Sequence, residues 1–218
     1  MSEQDLSLVP GKENYTARYV RGGRLFSYAH QMNAVLEHEP RTVLEIGPGP
    51  GMVTAALQAI DVEVTTVDIQ AELKPDVVAS VTNLPFEDDS FDVSMCCQVL
   101  EHLPFDRFVP AIKELSRVSR HAILISLPDP RPYYEINASL FRKKTLAFSF
   151  TRPYTCKASY LERVKELAGH YWEVGSPGID AKKIASLISS AELHIRAHWR
   201  CRDRPYHHFF DISPRGSS

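Results

Sequence analysis

The stretch that most constrains this chain is VLEIGPGPG, which occupies residues 43–51. Its first half is an apolar run of strand type, and glycine then recurs at every second position, at Gly47, Gly49 and Gly51. Residues 52–57 are typical of the start of a buried helix. Glycine lets the backbone turn sharply and approach another group closely, and a helix N-terminus directs free N–H groups at the same place. This order predicts the first unit of an α/β fold that binds a nucleotide.

The glycine spacing separates the common classes of nucleotide site. A dinucleotide fingerprint needs glycine at its first, third and sixth positions, and the sixth position counted from Gly47 is Met52. A phosphate-binding P-loop needs Gly-Lys-Ser/Thr after the turn, and no lysine stands there. What remains is the carboxylate of Glu45 just before a Gly-x-Gly-x-Gly turn. An ordinary βα turn, with glycines for geometry alone, is the structural alternative.

The carboxylate and the glycine turn together resemble motif I of the class I S-adenosylmethionine-dependent methyltransferases. The resemblance implies that the turn faces the methionine end of the cofactor, whose ammonium and sulfonium suit the acid at Glu45. A second strand is expected over residues 61–69. It ends in Asp68, about 20 residues after the first glycine, where a carboxylate can accept hydrogen bonds from both ribose hydroxyls. Asp68 and the adjacent Ile69 are therefore assigned to the cofactor site.

Residues 76–104 extend the resemblance. They contain LPF, then SFD before a buried strand over 91–97, and then Leu-Glu-His-Leu at 100–103. This order is similar to the small-molecule, type 11 methyltransferases of the superfamily. The resemblance places adenine contacts in the loop before LPF, where Ser80 stands in place of the usual Asp. Its hydroxyl can accept a hydrogen bond from the adenine amino group without charge, and Val81 can offer its backbone N–H.

The residues at the end of the fourth strand indicate which class of substrate is disfavoured. Methyltransferases of bases and of glutamine resemble one another in an Asn/Asp-Pro-Pro-Tyr motif there, and this chain has Cys-Gln-Val-Leu at 97–100. The resemblance places Gln98 against the methionine part of the cofactor. With a net charge of −2, this disfavours nucleic acid as a partner. His102 is a candidate general base near the methyl group, or a structural histidine bonded to the next loop.

Two segments outside the core are candidates for the acceptor side. Residues 15–37 are predicted to form a helix over one face of the sheet, although Tyr15, Tyr19 and Arg21 could instead close over the cofactor. Residues 131–175, inside an insert after the fifth strand, are predicted to be a substrate lid, because α/β sheets bind ligands at the carboxyl ends of their strands. Tyr15, His170 and Tyr171 are the acceptor-side candidates.

The lid candidate is rich in aromatic residues and holds a cationic cluster. The cluster favours an acceptor with an anionic group, and a solvated basic surface is the alternative. Its members are Arg131, Arg142, Lys143, Lys144, Arg152 and Lys157.

The C-terminal part is predicted to hold a helix capped by Asp180 and then a strand. In that strand arginine and histidine alternate with apolar residues from His194 to Arg202. Period two places the cations on one face, and we interpret them as the protection of an edge strand rather than as a nucleic-acid stripe.

Composition limits the remaining classes. The 218 residues are 44% hydrophobic and 24% charged, which is ordinary for a soluble globular protein. No apolar run approaches the roughly 20 residues of a membrane span, and no signal pattern is visible, so we expect a cytoplasmic protein without a membrane partner. The four cysteines show neither a disulfide framework nor metal-ligand spacing. The histidine pairs at 194/198 and 207/208 lack an acid or cysteine at ligand spacing, so no metal is predicted.

The sequence therefore predicts a single Rossmann-like α/β domain, with a seven-stranded, mostly parallel sheet whose seventh strand is antiparallel. The expected parts of domain 1–218 are an N-terminal helical cover (15–40), a cofactor-binding core (41–127), the insert (128–178) and a C-terminal helix and β-hairpin (179–212). The resemblance implies methyl transfer from S-adenosylmethionine to an O, N or C nucleophile of a small molecule, with S-adenosylhomocysteine as product. A non-catalytic binding or scaffold protein and a nicotinamide-dependent oxidoreductase remain alternatives. The sequence leaves the oligomeric state open.

Overall fold

The computed structural model describes residues 11–140 and 144–214. Its strands are β1 (Thr42–Ile46), β2 (Glu63–Asp68), β3 (Val77–Val78), β4 (Phe91–Cys97), β5 (Ser119–Pro128), β6 (Tyr133–Leu140), β7 (Lys144–Thr151), β8 (His194–Cys201) and β9 (Arg204–Ser213). Its α-helices are α1 (Ala17–Val20), α2 (Gly23–Leu36), α3 (Met52–Gln58), α4 (Phe108–Val118), α5 (Ala158–Ala168) and α6 (Ala181–Ser190).

Seven strands form one sheet in the order β3-β2-β1-β4-β5-β9-β8. β1 pairs in parallel with both β2 and β4, whereas β9 runs antiparallel to β5 and to β8. This confirms the predicted α/β class and the mostly parallel sheet with an antiparallel last strand. The strand order reverses between β1 and β4, and open α/β sheets bind ligands at the carboxyl ends of the strands beside such a reversal.

Helices cover both faces of the sheet because successive side chains of a strand point to opposite sides. Leu44 and Ile46 of β1 belong to one buried cluster, which includes the apolar faces of α4 and α6. Val43 belongs to a second buried cluster on the other face, with Val35 of α2 and Leu57 of α3. The cofactor-binding core is thus held between two helical layers.

The N-terminal helix predicted over residues 15–37 is divided in two. Gly22 adopts a φ of +69° between α1 and α2, a conformation that glycine reaches without steric cost. Thr16 caps α1, since its side chain accepts a hydrogen bond from the Tyr19 N–H. The predicted cap at Asp180 is confirmed, because its Oδ1 accepts from the Lys183 N–H at 2.7 Å.

The insert forms a sheet of its own, which the sequence analysis did not foresee. β6 and β7 pair antiparallel, with Tyr134 opposite Phe150 and Ile136 opposite Phe148. All four side chains are exposed although they are apolar, so their apolar character did not indicate a buried face. α5 follows and ends where Gly169 takes a left-handed conformation. Among the helices in the described ranges, none combines the length and apolarity needed to cross a bilayer.

β8 lies at the sheet edge, as predicted, but its cations do not share one solvated face. Arg200 is buried and its guanidinium pairs with the carboxylate of Asp129. Register shifts at Ile195/Ala197 and at Arg200/Cys201 break the strict period of two. Although burial alone would raise it, the cationic neighbours and a hydrogen bond from His208 hold the pKa of Asp129 well below its ordinary value. The expected surface cation at Arg200 is therefore part of the core.

Candidate cofactor and acceptor site

The glycine turn joins β1 to α3 through three left-handed residues. Gly47, Gly49 and Gly51 have φ values of +66°, +53° and +70°, and the Gly47 N–H donates to the Val67 carbonyl at 2.8 Å. A β-carbon on Gly47 would stand only 2.4 Å from Cγ2 of Val99. The turn therefore needs glycine at this position both for its backbone conformation and for space.

A cavity of about 1110 Å³, including its open mouth, lies beside this turn at the carboxyl ends of β1, β2 and β4. Predicted site residues that line it are Tyr15, Glu45, Gly47, Gly49, Asp68, Ile69, Ser80, Val81, Gln98 and His102. Three predicted residues do not line it. Gly51 is the N-cap of α3. His170 and Tyr171 are outside the lining, although the His170 ring contacts that of His102, a lining residue, with centroids 5.0 Å apart.

Glu45 is a buried carboxylate in the wall of the cavity. It is 4% exposed, and the hydroxyl of Thr54 in α3 donates a hydrogen bond to its Oε2. Burial outweighs this hydrogen bond and raises the pKa of Glu45 to about 7. A cation bound nearby would stabilise the ionised form, so this acid is suited to a positively charged ligand group.

Asp68 ends β2 at the cavity. Its Oδ1 accepts a hydrogen bond from the Gln70 N–H at 2.8 Å, and burial raises the pKa of the carboxyl above its ordinary value. Oδ1 is thereby fixed in direction on a β-strand end. A carboxylate in this setting is suited to accept hydrogen bonds from ligand hydroxyl groups.

Ser80 and Gln98 are both engaged by neighbouring residues. The Ser80 and Thr82 hydroxyl oxygens lie 2.9 Å apart and share a hydrogen bond. Gln98 has a φ of +59°, which is strained for a residue with a side chain. Ser126 of β5 holds it there, because its carbonyl accepts from the Gln98 N–H at 3.0 Å and its hydroxyl accepts from Nε2 at 3.2 Å.

The N-terminal segment covers the cavity. Tyr15, Tyr19, Arg24 and Tyr28 line it, whereas Arg21 and the described residues of the 128–178 insert do not. The Arg24 guanidinium carbon lies 3.6 Å from the Tyr19 ring centroid, and burial raises the pKa of Tyr28 to about 12. The segment therefore does both things that were predicted as alternatives: α2 packs on one face of the sheet through Val35, and Tyr15 and Tyr19 line the cavity.

Comparison with protein families decides between the classes of nucleotide site. The family described as "Methyltransferase domain" matches residues 44–124, which include the glycine turn, Asp68 and the strand before Gln98. The chain carries a class I S-adenosylmethionine-dependent methyltransferase domain. A search of curated protein sequences gives no significant match.

Solved structures similar to this methyltransferase include the N-methyltransferase NodS from Bradyrhizobium japonicum WM9 in complex with S-adenosylhomocysteine. The TM-score is 0.63 at 11% identity, over 98% of this chain and 97% of NodS. Magnesium protoporphyrin IX methyltransferase (ChlM) from Synechocystis PCC 6803 with bound S-adenosylhomocysteine has a TM-score of 0.58 at 14% identity, over 88% and 83% of the two chains. The PH0226 protein from Pyrococcus horikoshii OT3 has a TM-score of 0.57 at 15% identity, over 99% and 100%. At identities this low, the structural similarity establishes a shared fold and nothing more.

A polar chain that the sequence did not reveal ties the methyltransferase's last strand to its N-terminal cover. His207 of β9 lines the cavity, where its Nε2 accepts from Arg204 Nε at 2.9 Å. The proton is therefore on Nδ1, which lies 2.7 Å from the Ser27 hydroxyl of α2 and donates to it. Burial and the nearby arginines lower the pKa of His207 to about 3. Ser27 and His207 are 180 residues apart, so no local pattern could pair them.

Three ligand-type side chains meet beside the methyltransferase's cavity, which His102 lines. One ligand atom from each of Glu101, His102 and His170 lies within 4.8 Å of the others. His102 and His170 were predicted as separate candidates, and Glu101 was matched only as part of Leu-Glu-His-Leu. His102 Nδ1 lies 3.3 Å from the Gly169 carbonyl, and burial together with His170 lowers the pKa of His102 to about 3. The imidazole is therefore neutral and a weak base.

Proposed function

We propose that this methyltransferase transfers the methyl group of S-adenosylmethionine to an O, N or C nucleophile of a small-molecule acceptor. The observation that carries the proposal is the cavity at the reversal of strand order, which places Glu45, Asp68 and Gln98 around one glycine turn. The bound cofactor supplies an electrophilic methyl group on a sulfonium. The protein residues bind, orient and shield the reacting groups.

The described residues fit this cofactor. Asp68 is proposed to accept hydrogen bonds from the ribose hydroxyls, and Glu45 with the turn at Gly47 and Gly49 to receive the ammonium end. The adenine would contact Ile69, Ser80 and Val81. A β-carbon on Gly49 would stand 3.4 Å from the Tyr15 ring, so a side chain there would narrow the space between the turn and its cover.

Positioning is the main contribution that these residues make to the reaction. Holding the nucleophile in line with the methyl group removes much of the entropic cost of a displacement, and the cover formed by Tyr15 and Tyr19 excludes water. His102 was a candidate general base. As a neutral, weakly basic imidazole it contributes little as a proton acceptor near neutral pH, so the proposal depends on geometry and not on this residue as a base.

An anionic acceptor, predicted from the cationic cluster, stays a prediction, because Arg142 and Lys143 lie outside the described residues. Of the described members, Arg131 already pairs with Asp129, NH2 to Oδ2 at 2.6 Å. Replacing Arg142, Lys143 and Lys144 together and measuring acceptor affinity tests the idea. Unchanged affinity would dismiss it.

Calorimetric titration tests the proposed function. We expect wild-type protein to bind S-adenosylhomocysteine with micromolar affinity and not to bind NADH, and we expect Asp68→Ala to weaken the former. Binding of NADH instead would favour the oxidoreductase alternative. Binding of S-adenosylhomocysteine without turnover across a broad panel of acceptors would favour a non-catalytic binding protein.

A further inference from the structure

The cluster of Glu101, His102 and His170 has the composition of a transition-metal site. Two imidazoles and one carboxylate are a recurrent ligand set for zinc and for divalent iron. The ligand atoms lie within 4.8 Å of one another. Metal–nitrogen bonds of about 2 Å would draw them together by roughly an ångström, within reach of small side-chain rotations.

Both imidazoles use Nδ1 as a hydrogen-bond donor, as metal-binding histidines commonly do. A carbonyl oxygen can only accept, so Nδ1 of His102 carries the proton that is donated to Gly169 O at 3.3 Å. Nδ1 of His170 lies 2.7 Å from Oε1 of Glu173 and donates to that carboxylate. In each ring Nε2 is the nitrogen left for another partner. Histidines that bind metal ions usually donate their second ring N–H to a carboxylate or carbonyl in this way.

Glu101 supplies an independent observation. The side chain is fully buried, and neither carboxylate oxygen accepts a hydrogen bond from any residue in the described ranges. A buried carboxylate is strongly disfavoured unless a donor or cation compensates it. Its position beside the two imidazoles points to a cation held between them.

We propose that Glu101, His102 and His170 bind a divalent transition-metal ion, with zinc as the best match, at the acceptor end of the cavity. Imidazole nitrogen favours zinc and its neighbours over magnesium and calcium, which prefer oxygen ligands. His102 also lines the cavity, so an ion held by this cluster would lie next to the space proposed for the acceptor.

A metal ion at this site favours an acceptor whose nucleophile is a hydroxyl group. This inference about the acceptor rests on the proposed methyl transfer. A Lewis acid lowers the pKa of a hydroxyl that it contacts. The O–H bond then breaks and its proton passes to solvent. The oxygen forms a new bond to the methyl carbon while the bond from that carbon to the cofactor sulfur breaks, which gives a methyl ether and S-adenosylhomocysteine.

Metal titration of chelator-treated protein tests the site. We expect one equivalent of Zn²⁺ to bind in calorimetry, one equivalent of Co²⁺ to produce visible absorption bands, and Mg²⁺ to produce no binding. Glu101→Gln and His170→Asn should each weaken Zn²⁺ binding at least tenfold. His121→Ala is the matched control, because His121 is an exposed histidine away from the cluster. The affinity of this variant for Zn²⁺ should equal that of wild type.

The outcomes separate the two proposals. Wild-type protein that binds S-adenosylhomocysteine but neither Zn²⁺ nor Co²⁺ in one-to-one ratio would overturn the metal site and leave the proposed function standing. Metal binding without S-adenosylhomocysteine binding would overturn the proposed function and leave the metal site standing. Affinity retained in both variants would show adventitious binding elsewhere and would also overturn the site. The wild-type stoichiometry decides the question even where a variant fails to fold.

Discussion

The Cγ2 methyl of Val99 lies 2.4 Å from the point where a β-carbon on Gly47 would stand. The first residue after β1 is thus packed against the loop after β4, with no room for a side chain. We expect Gly47→Ala to reduce S-adenosylhomocysteine affinity at least tenfold, since β-branched Val99 cannot easily turn away and must be displaced. Calorimetry on the folded variant measures the effect.

Gly178→Ala is the matched control for that substitution. Gly178 has a φ of +75° and nothing within 4 Å of an added β-carbon, so it carries the same backbone strain of about 1–2 kcal/mol without the clash. Both variants should be less stable than wild type, but only Gly47→Ala should have a lower affinity for S-adenosylhomocysteine. Equal affinities would show that the packing of Val99 on Gly47 has no bearing on the ligand.

Asp68 and Asp92 are carboxylates at opposite ends of the parallel strands. Substituting each in turn therefore distinguishes an effect on ligand binding from an effect on stability. Asp68→Asn should weaken S-adenosylhomocysteine binding by about tenfold, because a hydrogen bond to a charged acceptor contributes about 1.5–3 kcal/mol. Asp92→Asn should leave that affinity unchanged, since its Oδ2 accepts from the Arg41 and Thr42 N–H groups at 2.9 and 3.0 Å, at the start of β1. A loss of affinity in both variants would contradict the assignment of Asp68.

Asp92 also makes stability depend on pH. Burial alone would raise its pKa, but hydrogen bonds from Arg41, Thr42 and Arg120 outweigh burial and lower the pKa to about 2. A pKa lowered on folding stabilises the native state above the unfolded value, and this contribution is lost as pH falls through about 4 to 2. The free energy of unfolding of wild type should exceed that of Asp92→Asn by about 2 kcal/mol at neutral pH. Urea titrations should find this difference shrinking below about pH 4; a constant difference would refute it.

Glu45 should make cofactor-site affinity depend on pH near neutrality. Its pKa is raised to about 7 by burial, so the ligand-free protein protonates this carboxyl as pH falls below that value. Binding of the ammonium group then requires loss of the proton. Affinity for S-adenosylhomocysteine should fall about tenfold from about pH 8 to about pH 6 in wild type.

Glu45→Gln is the comparison for that pH profile, because it removes the titration while the ligand's own titration stays the same. We expect weaker binding whose pH dependence over this range is nearly flat. Two parallel profiles would show that another group in the protein titrates, and that the ammonium end does not depend on Glu45.

Features set by adjacent residues were predictable from sequence. The strand expected at 91–97 is Phe91–Cys97, and the glycine turn and Asp68 were found because strand, turn and spacing are local patterns. Ser80 was assigned to an adenine contact, but sequence could not show that its hydroxyl is already shared with Thr82.

Contacts between distant segments were not predictable. The pairing of Ser27 with His207 and the meeting of Glu101 with His170 depend on how the sheet is ordered, and no periodicity records them. The β6–β7 hairpin was missed for a different reason: Tyr134, Ile136, Phe148 and Phe150 are apolar but exposed, so their apolar character did not mark a buried face.

The cavity is walled by residues from both ends of the described chain, among them Tyr15 and His207. β9 is also inserted between β5 and β8 in the sheet. During synthesis the core strands are made early, but the wall is completed only after the last strand has been made and inserted. A nascent chain that still lacks β9 therefore lacks the part of the wall that His207 provides, so we expect ligand binding to stabilise the fold fully only once β9 is in place.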